Sequence, residues 1–171
     1  MIAQAGLVAL VVALGVLTQY EVDRDVLLAE KGVALPVPRA KAFQFIINMK
    51  LFPKWVPGVE SFEPIDNSPM QVGKHFTEVQ SLPIYGDLIY DNLVIAYESP
   101  RYISFISNSW LQLRVEIQLD RRDSPTYPTA FHWKIYSRRR SFLFNYVAAP
   151  ILRFVYSHKS RQAMFNLSHM F

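Results

Sequence analysis

Acid–base catalysis needs a titratable side chain inside the protein, and histidine serves this role most often. The sequence has four histidines. His75 and His132 lie in stretches with β alternation, where each opposes an aromatic neighbour, so we expect both to point to solvent. His158 and His169 lie in a basic C-terminal segment, and we expect these two at the surface as well.

The acidic residues on predicted strands include Glu78, Asp87 and Asp91. Asp91, between Tyr90 and Asn92, is the best candidate for a polar group at an internal cavity. No histidine stands at metal-ligand spacing from a carboxylate, and no nucleophile-elbow, P-loop or dinucleotide motif occurs. The sequence therefore predicts no metal site, no cofactor and no catalytic residue, and it leaves open whether the protein is an enzyme.

Apolar residues, and aromatic ones in particular, are abundant. The 171-residue chain is 51% hydrophobic and contains twelve Phe, nine Tyr and three Trp. This is enough to fill the core of one domain with apolar side chains to spare. Two interpretations stay open at this point: a well-filled core, or a core that lines a cavity for an apolar ligand.

The formal charge of +4 is mildly basic, and no zinc-finger spacing, RNP motif or long Lys/Arg tract indicates nucleic acid. The chain has no cysteine, which excludes disulfides and Cys-based sites. Basic residues gather late in the chain, at Arg121, Arg122, Arg138, Arg139, Arg140, Arg153, Lys159 and Arg161. They form either solvated turns and a polar helix face, or a basic edge against anionic lipid.

Residues 1–19 contain no charged side chain. About 18 helical residues at ~1.5 Å each cover roughly 27 Å, close to the ~30 Å hydrocarbon core of a bilayer. The segment could be a membrane anchor, a cleaved secretory signal or a buried helix, although a signal usually has a Lys or Arg before the apolar run. We expect membrane association through this segment, with secretion after cleavage as the alternative, and one domain over residues 20–171.

The remaining pattern predicts a strand over 20–35, a helix pair from Pro38, about six strands and a long closing helix after Ser141. Residues 111–120 alternate strictly between apolar and polar, as in a half-buried antiparallel strand. Pro150 predicts a kink or break in the closing helix. This order indicates an antiparallel α+β domain in which helices cover one face of the sheet.

Five short stretches stand in a fixed order along the chain: Pro38–Phe45, Phe52–Val59, Val72–Phe76, Tyr97–Phe105 and Ala130–Trp133. Together they resemble motifs of the START-like, or SRPBCC, superfamily, in particular its polyketide cyclase/dehydrase and lipid-transport branch. The resemblance implies a helix-grip fold, in which a curved antiparallel sheet of about seven strands wraps around a long C-terminal helix. The extra N-terminal apolar helix lies outside that pattern.

The same resemblance implies a cavity that binds, and in some members transports, a hydrophobic small molecule such as a lipid, sterol or quinone. We expect this activity at or near a membrane, and we leave the oligomeric state open. The expected cavity lining is Trp55, Phe76, Ile103, Phe105, Leu113, Val115, Phe131, Trp133, Tyr146 and Phe154.

Two other functions stay open. A cyclase- or dehydratase-like enzyme acting on a polyketide or other hydrophobic substrate would need a buried titratable group, and few such groups fall on the predicted inner faces. An accessory role would instead leave the cavity filled by its own side chains.

The stretch LFPKWVPGVESFEP, residues 51–64, places three aromatic residues, Phe52, Trp55 and Phe62, among three prolines. We expect it at the rim of the cavity, between the first helices and the second strand. Trp55 then either plugs the open end of the sheet as a packing residue or forms part of a gate for the ligand.

Overall fold

A computed structural model describes residues 6, 11–12, 15–16, 20–82 and 86–171 of the chain. Most of the apolar segment 1–19, and with it the expected N-terminal helix, lies outside these residues. Within the described part, no helix is both long enough and apolar enough to cross a membrane.

Among the residues that the structure describes, seven antiparallel strands form one sheet. They are β1 Val26–Leu35, β2 Ser61–Pro64, β3 His75–Leu82, β4 Gly86–Glu98, β5 Tyr102–Ser107, β6 Leu113–Arg121 and β7 Thr129–Ser137. Their order is β1-β7-β6-β5-β4-β3-β2, so β2 to β7 follow one another and β1 pairs with β7. The first strand is shorter than predicted, because the chain bends at residues 23 and 24 and Glu21 makes only an isolated bridge to Ser141.

The helical elements lie before β2 and after β7. They are α1 Arg39–Ile47, a three-ten turn Met49–Leu51, α2 Phe52–Trp55, a π turn Phe144–Ala148 and α3 Ala149–Ser168. The long helix α3 packs against β1 and α2. A seven-stranded antiparallel sheet with a long C-terminal helix confirms the predicted α+β, helix-grip architecture.

No break interrupts the closing helix at Pro150, because the π turn Phe144–Ala148 runs directly into α3 and the residues at the junction keep right-handed helical dihedral angles. The departure from a regular α-helix is the π turn itself, which ends two residues before Pro150. The N–H of Ala149 bonds the carbonyl of Phe144, five residues earlier, so both side chains face the interior and both are buried. This spacing determines which side of α3 meets the sheet.

Strand alternation sorts the side chains as predicted. On β6, Val115, Ile117 and Leu119 are buried between partly exposed polar neighbours. His75 and His132 lie on the other face, half exposed, where each is paired with an aspartate. The expectation that both histidines point to solvent is confirmed.

Helix α2 closes the open end of the sheet through Trp55, which is 0% exposed. The centroid of its ring lies 4.8 Å from Phe52, 5.3 Å from Trp133 and 6.0 Å from Phe131, edge-on in each case. The side-chain amide of Asn166, on α3, donates a hydrogen bond to the Trp55 carbonyl over 3.3 Å. Trp55 thus joins α2, the sheet and α3, which favours the packing interpretation over the gate.

We expect Trp55→Ala to lower the free energy of unfolding by about 3–5 kcal/mol, because it leaves a cavity in this aromatic cluster. Urea unfolding followed by circular dichroism measures the change. Trp110→Ala is the matched control, because Trp110 is exposed. The Arg139 guanidinium lies over its ring, and this cation–π contact contributes about 1 kcal/mol or less. If Trp55→Ala were as stable as wild type but exchanged ligand faster, Trp55 would be a gate instead.

Candidate functional site

A small cavity lies between α2, the inner face of the sheet and α3. Its volume is about 60 Å³, room for about two water molecules and well below the ~300–1,000 Å³ of usual ligand pockets. The walls are mostly apolar, and one side carries polar groups. The lining residues are Phe52, Val56, Pro57, Val59, Glu78, Gln80, Asn92, Phe105, Ser107, Leu113, Val115, Trp133, Ile135, Tyr156 and Lys159.

Four of the predicted lining residues lie around this cavity: Phe105, Leu113, Val115 and Trp133. Four others are buried in the surrounding core without lining the cavity, namely Trp55, Phe76, Ile103 and Phe131. Alternation along β3, β5, β6 and β7 places seven of these side chains on the inner side of the sheet, and Trp55 reaches the core from α2. Their role in binding a ligand stays a prediction.

Tyr146 and Phe154 do not line the cavity, so their predicted position is wrong. Tyr146 is 67% exposed and Phe154 is 79% exposed. Tyr146 belongs to the π turn and Phe154 to the outward side of α3, whereas Phe144 and Ala149 take the inward positions. The π turn changes the phase of the helix. The prediction assumed a regular α-helical period through this segment and therefore placed Tyr146 and Phe154 on the inward side.

Asp91 is on the outer face of β4 rather than at the cavity, which corrects a second prediction. Its carboxylate oxygens lie 3.1 Å from the Nδ1 atom of His75, and both side chains are about half exposed. The next residue, Asn92, points inward and is fully buried. Neighbouring residues on a strand face opposite ways, so Asn92 takes the inner position that we had predicted for Asp91.

Glu78 is the acidic group that does face the cavity, and it is 7% exposed. Its Oε1 accepts a hydrogen bond from the Gln80 amide at 2.6 Å, and its Oε2 accepts one from the Asn92 amide at 3.0 Å. Burial raises the pKa of Glu78, although these two donors and the charge of Lys159 oppose the rise. The inward position of Glu78 could have been predicted from the sequence. Phe76 was predicted to point inward, and Glu78 is two residues further along the same strand, so it lies on the same face.

Tyr156 and Lys159 reach the same cavity from α3. Burial, followed by the charge of Glu78 and the nearby Tyr90, raises the pKa of Tyr156 to about 12, so its hydroxyl stays neutral at ordinary pH. The Lys159 ammonium lies 6.0 Å from the centre of the Tyr156 ring, next to the turn at Gly58. The polar side of the cavity therefore combines a carboxyl group, amides, a phenol and one cation.

Two polar atoms of the lining residues have no hydrogen-bond partner among the described residues. They are Oδ1 of Asn92, an acceptor, and Nε1 of Trp133, a donor. A buried polar group without a partner costs about 1–3 kcal/mol. Both atoms are buried, so a ligand group reaches them only if neighbouring atoms move, and one donor and one acceptor placed there would remove this cost.

No group of three His, Asp or Glu side chains in the described ranges could hold a metal ion. The ionisable side chains that line the cavity are Glu78, Tyr156 and Lys159.

Comparison with known proteins gives no matching family model and no matching curated sequence. Solved structures match in fold. SA2116 from Staphylococcus aureus, a protein of unknown function, has a TM-score of 0.65 and 13% identity, over 85% of this chain and 93% of that one. The di-domain ARO/CYC StfQ from the steffimycin biosynthetic pathway has a TM-score of 0.63 and 10% identity, over 84% of this chain and 50% of that one. Ara h 8.0201 has a TM-score of 0.59 and 14% identity, over 83% and 95% of the two chains.

The chain has a helix-grip fold, as the resemblance to the START-like, SRPBCC superfamily predicted. The resemblance predicted from five sequence motifs is thereby confirmed at the level of fold. At 10–14% identity these likenesses do not transfer an activity.

Glu78 should make stability depend on pH. Because its pKa is raised above the ordinary 4.5 in the folded state, the folded chain keeps a proton that the unfolded chain releases. The stability that Glu78 contributes is then fully present below about pH 4.5 and is lost as the pH rises through the folded pKa. We expect Glu78→Gln to gain stability relative to wild type as the pH rises, because glutamine does not ionise and so has no buried charge at any pH.

Urea unfolding from about pH 4 to about pH 8 tests this dependence. Glu63→Gln is the control for the loss of one carboxylate, because Glu63 is exposed and paired with Lys50 at 3.3 Å. Parallel stability curves for wild type and Glu78→Gln would contradict the raised pKa.

Proposed function

We propose that this protein binds a hydrophobic small molecule, such as a lipid, sterol or quinone, that carries one hydroxyl or carbonyl group. The observation that carries the proposal is a mostly apolar cavity whose wall includes Asn92 and Trp133, two side chains with unpartnered polar atoms, Oδ1 and Nε1. The apolar wall supplies most of the binding free energy, at about 25 cal/mol per Å² of apolar surface removed from water. The polar pair orients the ligand.

A ligand of this size requires the cavity to open. The cavity of about 60 Å³ is too small for a sterol or quinone as it stands. Val56 and Pro57 form its outer wall and are partly exposed, so we propose that this turn after α2 moves outward on binding. The small volume favours the accessory role, with a filled cavity, whereas the unpartnered polar atoms favour binding.

We also propose that the protein works at a membrane. The uncharged run of residues 1–19 and the net charge of +4 support this location.

Native mass spectrometry after incubation with liposomes that contain cholesterol and a ubiquinone tests the binding function. We expect the wild-type chain to retain an apolar molecule. Val115→Phe places a ring in the cavity and should lower uptake about tenfold or more. Val72→Phe is the matched control, because Val72 is exposed and distant from the lining.

Thermal unfolding of both variants checks that they fold, since overpacking costs about 1–3 kcal/mol. A wild-type chain that is empty as purified and takes up nothing from the liposomes would overturn the binding function and favour the accessory role.

Glu78 supports a second function, that of a cyclase- or dehydratase-like enzyme. The raised pKa brings this buried carboxyl closer to neutrality, where a general base works best. Glu78 could take a proton from the methylene carbon of a poly-β-ketone while that carbon attacks a carbonyl, and the Tyr156 hydroxyl could donate a hydrogen bond to the oxygen. The fold likeness to an ARO/CYC protein is in keeping with this reaction class.

A linear poly-β-ketone thioester is the probe for the enzymatic function. If the protein is a cyclase, we expect a new aromatic absorption band, and Glu78→Gln should slow its appearance by about 10²-fold or more while leaving binding of the probe intact. Absence of product above the buffer rate, or an unchanged rate in Glu78→Gln, would contradict this function.

A further inference from the structure

The first half of α3 is apolar on the side that faces away from the sheet. A set of exposed side chains follows this side from the π turn onward and is here called the apolar helix face: Phe142, Tyr146, Val147, Ile151, Phe154 and Val155. The rings of Phe142 and Tyr146 stack with centroids 4.3 Å apart. From Ala149 to Val155, Arg153 is the one polar residue.

The apolar helix face is not needed for the core. The opposite side of the same helix packs on the sheet through Phe144, Ala149 and Leu152, against Val26 and Leu28. A helix that is apolar all round is normally covered on every side. The outward side is exposed here, so a second apolar surface is expected to cover it.

The apolar N-terminal segment joins the domain beside this face. The Phe142 N–H donates a hydrogen bond to the Tyr20 carbonyl at 2.7 Å, and the Val22 N–H donates one to the Arg140 carbonyl at 2.8 Å. Residues 1–19, which carry no charge, therefore lead directly to Phe142. Val12 and Val16 in that segment, and Tyr20 at its end, are themselves exposed.

A groove of about 570 Å³ with two arginines borders the apolar helix face. Leu27, Tyr146 and Pro150 form its apolar wall, and Arg24 and Arg153 lie along it. The Arg153 Nε donates to the Leu27 carbonyl at 3.1 Å, which holds the guanidinium at the edge.

The charge near this edge is positive overall. Asp25, also in the groove, is already paired with Arg114 at 3.3 Å and with Arg140 at 3.0 Å. Over residues 20–25 and 138–153, five arginines stand against three acidic residues. An apolar surface with an arginine edge matches the acyl chains and phosphates of an anionic bilayer.

We propose that the apolar helix face is the surface on which this domain lies against a lipid bilayer, with Arg24 and Arg153 on lipid phosphates. The inference rests on the proposed membrane location, and it adds which surface of the domain faces the bilayer. The N-terminal segment holds the domain at the membrane, and the apolar helix face enters the interface. The continuity of the segment with Phe142 favours lipid over a second protein as the occupant.

Single-cysteine labelling tests this orientation in the full chain, because the sequence contains no other cysteine. Phe154→Cys and Phe165→Cys form a matched pair: both residues are exposed phenylalanines on α3, at 79% and 64%, but Phe165 lies in the polar second half. Each variant is labelled with an environment-sensitive fluorophore and mixed with phosphatidylcholine/phosphatidylserine vesicles. Spin-labelled lipid, with its quencher near the headgroup boundary, reports contact over the outer ~5–10 Å of the bilayer.

We expect the label at residue 154 to shift its emission to the blue and to lose intensity several-fold with the spin-labelled lipid. The label at residue 165 should do neither. Phosphatidylcholine vesicles without phosphatidylserine should weaken the effect, because the arginine edge then meets no net negative charge. Circular dichroism confirms that both labelled chains are folded.

Each other outcome counts against the proposal. A chain that binds vesicles while the label at 154 is not quenched contradicts the orientation but leaves the membrane location standing. A chain that binds no vesicles contradicts both. A blue shift without vesicles identifies a different occupant: a second copy if the shift depends on protein concentration, and the chain's own N-terminal segment if it does not.

Discussion

The burial of Trp55 is the contact on which the interior of this domain depends. Its ring packs edge-on against Phe52 of α2 and against Phe131 and Trp133 of β7. Its carbonyl receives a hydrogen bond from Asn166 of α3. One side chain therefore links the short helix, the sheet and the long helix, and the space left beside it is the cavity of about 60 Å³. The turn after Trp55, at Val56 and Pro57, is a partly exposed part of the cavity wall next to this contact.

The polar side of the cavity is costly for the fold. Glu78 loses hydration in the interior, and two amide donors together with the charge of Lys159 offset only part of that loss. Asn92, which donates one of those bonds, leaves its own Oδ1 without a partner among the described residues. Titratable groups with strongly perturbed pKa values are often found at functional sites. The buried Glu78, whose pKa is raised, therefore makes this cavity, although small, a better candidate for binding than the larger grooves on the surface.

The long helix meets two environments along its length. Its inward side completes the core from Phe144 to Leu167. Its outward side is apolar up to Val155 and mostly polar from His158 onward. The apolar part lies next to the junction with the N-terminal segment, so the two features that a membrane would contact are on the same part of the domain.

The sequence by itself determined the strands, the antiparallel α+β class and the helix-grip architecture. Alternation and proline positions are local properties, and they place Val115 and Trp133 inward and a helix irregularity near Pro150 without tertiary contacts. The tertiary structure decided which of two apolar sides of the closing helix is covered, because a π turn shifts the phase and brings Phe144 and Ala149, rather than Tyr146 and Phe154, onto the sheet. It also decided that Glu78 and Asn92 meet across β3 and β4 at the cavity, since a contact between two strands depends on their register.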